Sequence, residues 1–191
     1  MTKKILILLF ILIPIKANAL IEVDITRGNL NPLPLAVSPL SIDEESRKGF
    51  EKILKKENIG SEISNIVENN LRTSGLFNPL DKKAFLQAPD IANLKPRFED
   101  WNLIKAQALI TGKVNYVDDK LRVEFRLWDV LAAKEMMALA FTTVPNNWRR
   151  VGHIISDKVY ERLTGEKGYF DTRIIYVSEE GPKTQRIKKL A

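Results

Sequence analysis

His153 is the one histidine of the chain, and it stands among residues that could do chemistry with it. On a helix it shares a face with Arg149 and Asp157, and a carboxylate one turn along can orient an imidazole for general-base work. Ser156 is close in sequence, but helical spacing puts it off the His153 face. The three do not line up as nucleophile, base and acid. The pattern predicts a surface histidine beside a helix-neighbour carboxylate. One histidine in a chain without cysteine also falls short of the three or four ligands that zinc requires.

The other candidates reduce to structure in the same way. Asp118-Asp119 pairs two carboxylates, but adjacent residues at a hairpin tip point apart, and aspartate belongs in turns for conformational reasons. Gly112-Lys113 lacks the glycine spacing and the following Ser or Thr of a phosphate loop. Gly165-Glu166-Lys167-Gly168 ends a helix instead of opening one. Trp148 heads an apolar stripe and reads as core, whereas Trp128 shares a face with Arg126 and is a candidate contact residue. No catalytic, cofactor-binding or metal grouping emerges, and the chain reads as non-enzymatic.

Two strong helices and a run of strands must hold these residues. Ile59, Ile63, Ile66, Val67 and Leu71 fall at helical spacing through Ser61 to Ser74, and Gly75 follows as a stop, with Leu76 and Phe77 folding back on the last turn. Trp148, Val151, Ile155, Val159 and Leu163 make a second stripe over Asn146 to Leu163, closed by Gly165. Between them, Ala106 to Val117, Leu121 to Trp128 and Met136 to Val144 predict an antiparallel meander. Leu121, Val123, Phe125 and Leu127 face its core, and Arg122, Glu124 and Arg126 face water. Leu35 to Leu40 reads as a further strand. Asp43 to Asn58, with only Phe50, Ile53 and Leu54 apolar, reads as a poorly packed helix or a long loop. Asp81 to Asp100 reads as connecting material anchored by Phe85 and Phe98, and Trp101 begins a short turn of helix. Tyr169 to Ser178 starts a new strand, and Arg186 to Leu190 returns from a turn at Gly181-Pro182. The expected fold is α/β (α+β), with two main helices packed on a mixed sheet of about five strands.

The N-terminus predicts export. Lys3 and Lys4 precede an apolar run from Ile5 to Ile15, and Ala17-Asn18-Ala19 supplies small residues for cleavage after Ala19. The apolar run is about half of the roughly 20 residues that span a bilayer, and no later stretch is long and apolar enough to do so. The formal charge is +6, but the leader carries three lysines and no acid, which leaves +3 on the mature chain. That mild excess, interspersed with acids, does not indicate nucleic acid. Without cysteine the domain has no disulfide and relies on its core. Leu20 to Thr26 alternates apolar Ile21, Val23 and Ile25 with Glu22, Asp24 and Thr26, as a short strand or an extended arm does.

Several segments together resemble the TolB family. They are Trp148-Arg149-Arg150-Val151-Gly152-His153, the run from Tyr160 through Gly165-Glu166-Lys167-Gly168 to Phe170, and Ser74-Gly75-Leu76-Phe77 with Pro79, Leu80 and Phe85. The opening Glu22-Val23-Asp24-Ile25-Thr26-Arg27-Gly28 and the strand Pro34-Leu35-Ala36-Val37 also fit. The resemblance implies a signal peptide over 1–19, an N-terminal α/β domain over 20–168 and the start of a first β-propeller blade over 169–191, the rest of the six-bladed propeller being missing. It implies a periplasmic component of the Tol-Pal system without cofactor, supporting outer-membrane integrity and invagination at division. The partners implied are the TolA C-terminal domain and the lipoprotein Pal, most of whose contact surface would lie in the missing propeller. The TolA contact carries over to Glu22, Val23, Asp24, Ile25, Thr26, Arg27 and Gly28. An extended arm of this kind can add a strand to a partner sheet. Equally, residues 20–26 can complete the domain's own sheet. The charged stretch from Asp43 to Asn58 departs from the family pattern and reads as an insertion. The rival readings are a stand-alone periplasmic adaptor or binding protein, and a periplasmic enzyme.

Overall fold

A computed structural model describes residues 31–172, 177–182 and 185–190. Its centre is a mixed sheet. Strand β1 (Leu33–Val37) pairs in parallel with β3 (Phe77–Pro79) on one side and with β4 (Ala108–Val117) on the other. The two-residue strand β2 (Ser41–Ile42) resumes the line of β1 along β4 after a break at Ser38 to Leu40. From β4 the chain turns through β5 (Lys120–Asp129) and β6 (Lys134–Thr143) as the expected antiparallel meander, giving the order β3-β1-β4-β5-β6. With β2 the sheet has six strands. Neither β2 nor β3 is among the expected strands, and at β3 Phe77 does not simply fold back on a helix end but pairs across from Leu33. Three residues are too few to show a period, so only tertiary pairing reveals this strand.

One face of the sheet carries the main core. Helix α1 (Glu44–Leu54) and helix α2 (Ile59–Thr73) precede β3 in the chain. Short helices α3 (Pro89–Leu94) and α4 (Phe98–Leu103) lead into β4, and α5 (Trp148–Thr164) follows β6. Ile59, Ile63, Val67 and Leu71 of α2 and Trp148, Val151, Ile155, Val159 and Leu163 of α5 are buried against Leu121, Val123, Phe125 and Leu127. Gly152 sets how closely the two long helices approach, because a Cβ there would fall 2.8 Å from Cγ2 of Ile66. The opposite face is not wholly solvated. A second apolar cluster of Ala36, Ala92, Trp101, Ala106, Leu109 and Val130 covers one end of it, with Phe85 edge-on to Trp101 at 5.0 Å.

Other expected features differ. Asp81 to Asp100, expected as connecting material, contains α3 and the start of α4. Within the stretch from Asp43 to Asn58, Glu44–Leu54 is a well-seated helix: Phe50 is fully buried, edge-on to Tyr116 at 5.3 Å. Gly49 admits that ring, since a Cβ there would come within 2.5 Å of it. Asp43 caps the helix by accepting the Ser46 amide at 2.7 Å. A single aromatic knob plus a cap holds a helix whose remaining face is charged, and a count of apolar residues underrates it. The strand expected over Tyr169 to Ser178 does not begin at Tyr169. Residues from Tyr169 to Thr172 are not in a strand, and the hairpin consists of β7 (Val177–Glu180) and β8 (Ile187–Leu190), paired with each other.

Candidate interaction surface

The residues singled out for chemistry are each engaged in holding the fold. The Asn70 side-chain amide lies 2.9 Å from Nδ1 of His153 and donates to Oγ of Ser156 at 2.9 Å. That joins α2 to α5. Ser156 is buried and donates in turn to the Gly152 carbonyl at 2.9 Å. His153 and Ser156 thus share one partner, Asn70, which sequence spacing on α5 alone could not reveal because it comes from another helix. The expected pairing of Asp157 with His153 is replaced by a different role. Asp157 accepts the amides of Phe170 at 2.7 Å and Asp171 at 3.1 Å, one on each oxygen. It clamps the chain as it reverses along α5. Arg150 adds an ion pair to Asp171 at 3.1 Å.

Asp118 and Asp119 both adopt left-handed backbone, φ 50° and 59°, as a tight hairpin turn requires. Asp119 accepts the Tyr116 hydroxyl at 2.6 Å, and that hydrogen bond holds the phenol above its usual range. Gly112 lies in mid-strand, where a Cβ would meet the Glu124 carbonyl at 2.3 Å. Trp128 is half-buried, donates to Thr111 at 2.9 Å and packs edge-on to Phe98, so it braces the sheet. Trp148 lies in the core under the Arg149 guanidinium, 4.3 Å from its ring centre. Among the described residues no three His, Asp or Glu side chains group as metal ligands, and no helix is long and apolar enough to cross a membrane.

The arm Glu22, Val23, Asp24, Ile25, Thr26, Arg27 and Gly28 lies outside the described residues, as does the leader 1–19. The described residues begin just after it. Asn31 and Pro32 are exposed, and the Leu33 amide donates to the Leu76 carbonyl at 2.9 Å as β1 enters the sheet between β3 and β4.

Strand β6 is one edge of the sheet. It pairs with β5 on one side and, among the described residues, with no strand on the other. Met137, Leu139 and Phe141 lie opposite Leu127, Phe125 and Val123, on the helix-covered face, where Phe141 stacks on Phe125 at 6.1 Å. Ala138, Ala140 and Thr142 lie opposite Arg126, Glu124 and Arg122 on the other face. The alanines leave a shallow depression of about 210 Å³ bordered by those charged side chains. Within it, the hydrogen bond from Arg122 at 2.9 Å, with Lys113 nearby, holds the Glu124 carboxyl below the usual range despite some burial. Arg126 pairs with Glu135 at 3.4 Å.

Comparison with known proteins gives a consistent result. Residues 21–136 match the profile of the TolB amino-terminal domain. Over 186 residues the chain is 85% identical to the Tol-Pal system protein TolB of Pelagibacter ubique (strain HTCC1062), which covers 97% of this chain but only 42% of that relative's length. Among solved structures it is similar to TolB from Acinetobacter baumannii, with a TM-score of 0.61 and 25% identity over 76% of this chain and 32% of that one.

Proposed function

This chain belongs to the TolB family, and from that membership we propose that it is a periplasmic, non-enzymatic component of the Tol-Pal system that recruits TolA through its mature N-terminal arm. The observation that carries the reading is the family match itself, which begins at Ile21 and so takes in the arm as well as the domain. The arm has the character the role needs. Ile21, Val23 and Ile25 alternate with Glu22, Asp24 and Thr26, a pattern that lets a strand join a partner's sheet by main-chain hydrogen bonds while alternate side chains set specificity. The domain anchors it, since β1 lies inside the sheet and Leu33 is buried. Contact with Pal belongs mostly to sequence beyond the part of the family that this chain spans, and the support for outer-membrane integrity and invagination rests on both partners acting together.

The arm is tested by substitution. Replacing Val23 and Ile25 together by lysine leaves Ile21 as the one apolar residue on that side of the alternating pattern. Retention of the variant on immobilised TolA C-terminal domain should fall at least tenfold, with the thermal unfolding midpoint unchanged. Undiminished retention would remove the arm from the recruiting role.

A further inference from the structure

The Asn70 side chain holds two partners on α5 with one nitrogen. That nitrogen lies 2.9 Å from Nδ1 of His153 and 2.9 Å from Oγ of Ser156. Ser156 is buried, and its single hydrogen goes to the Gly152 carbonyl at 2.9 Å, so toward Asn70 the hydroxyl can only accept. This puts the nitrogen of the amide, and not its oxygen, on the α5 side. The same nitrogen then requires a lone pair on Nδ1, and the proton of the neutral ring belongs on Nε2. A buried serine thus sets the tautomer of a histidine through a side chain of another helix.

A second proton on the ring breaks this arrangement, because it places a hydrogen on Nδ1 against the hydrogens of the Asn70 amide. The network can answer without parting the helices. Asn70 is only partly buried, so its amide can turn over and send its nitrogen toward water. The turned oxygen has two lone pairs, enough for Nδ1–H and for the Ser156 hydroxyl. The hydroxyl can leave Gly152, because that carbonyl keeps the helix's own amide four residues on as its partner. His153 is itself partly exposed and open to the proton. The charged groups around it on α5 are Arg149 and Asp157, one turn away on either side and opposite in sign. After the helix comes Asp171, which pairs with Arg150 at 3.1 Å. At this end of α2 the charges are Glu68 and Arg72, which pair at 2.6 Å, and Glu68 also meets Lys82 at 2.9 Å.

We propose that Asn70, His153 and Ser156 form a proton-operated latch between α2 and α5. Uptake of a proton by His153 turns the Asn70 amide over and swings the Ser156 hydroxyl from Gly152 to Asn70. The latch is closed in both states, with its hydrogen bonds reversed in direction. It rests on the contact between the two helices and is independent of the recruiting role.

Nitrogen-15 NMR on the chain from residue 20 tests it, and the single histidine makes the ring signals unambiguous. The titration runs from about pH 8 to about pH 5, across the range in which imidazoles take up a proton. At its alkaline end Nε2 should carry the proton, and Nδ1 should show the shift of a bare, hydrogen-bonded nitrogen. Through the titration the Asn70 side-chain amide signals should move with the ring's midpoint, and their exchange with water should quicken. Ser156→Ala frees the Asn70 amide to turn in either state. It should raise the ring's midpoint by about half a unit to one unit, the equivalent of one net hydrogen bond. A neutral ring protonated on Nδ1 overturns the proposal. So do Asn70 signals that ignore the ring's titration, or a midpoint that S156A leaves in place.

Discussion

At the scale of single residues, Asp157 shows how a carboxylate beside a histidine can be structural. Each of its oxygens accepts a backbone amide from the segment that leaves α5, which gives the carboxylate a structural task. Gly168 makes the approach feasible, because a Cβ there would lie 2.4 Å from the Asp157 Cα and force the reversal outward. Asp157→Ala should strand both amides, costing about 1–3 kcal/mol of local stability and raising their hydrogen exchange, read at Phe170 and Asp171. Gly168→Ala should do the same with the carboxylate intact. Unchanged exchange in both variants would remove the clamp from the account. The helical spacing of His153 and Asp157 was legible from sequence, and so was the failure of a catalytic line. The partner of each was not, because Asn70 and Phe170 reach them from segments whose placement depends on how α5 packs.

At the scale of elements, α1 rests on one cap and one knob. The Ser46 amide, the strongest influence on Asp43, holds its carboxyl below the ordinary value of 3.8, and the Asn115 amide adds to it. A carboxyl lowered on folding contributes stability above its unfolded value and loses it as pH falls through the folded one. Asp43→Ala should therefore cost about 1 kcal/mol near neutrality, and its deficit against the parent should shrink in acid below the ordinary aspartate range. Urea unfolding at both pH values reads this, and a deficit independent of pH would contradict it. Phe50→Ala, emptying a fully buried site, should cost about 3–5 kcal/mol. The long helices and the meander were legible because Ile59 to Leu71 and Leu121 to Leu127 repeat a period often enough to show it. β3 and α1 were less so: three residues carry no period, and one phenylalanine against Tyr116 is a tertiary fact.

At the scale of the whole molecule, the proposed role separates two tasks. A rigid α/β body, its sheet braced by α2 and α5 on one face and the Trp101 cluster on the other, fixes the start of β1. The residues before it carry the alternating pattern of Ile21 to Thr26, and in the proposed role they supply the recognition while the body supplies the anchor. The chain covers 42% of the length of its Pelagibacter relative, and the proposed recruiting role is the part of the account that this chain can test by itself. Calorimetric titration into the TolA C-terminal domain asks it most directly, comparing the chain from residue 20 with the same chain from Asn29. The account predicts saturable binding from residue 20 and none from Asn29. Equal binding by both, or by neither, would contradict an arm that recruits TolA.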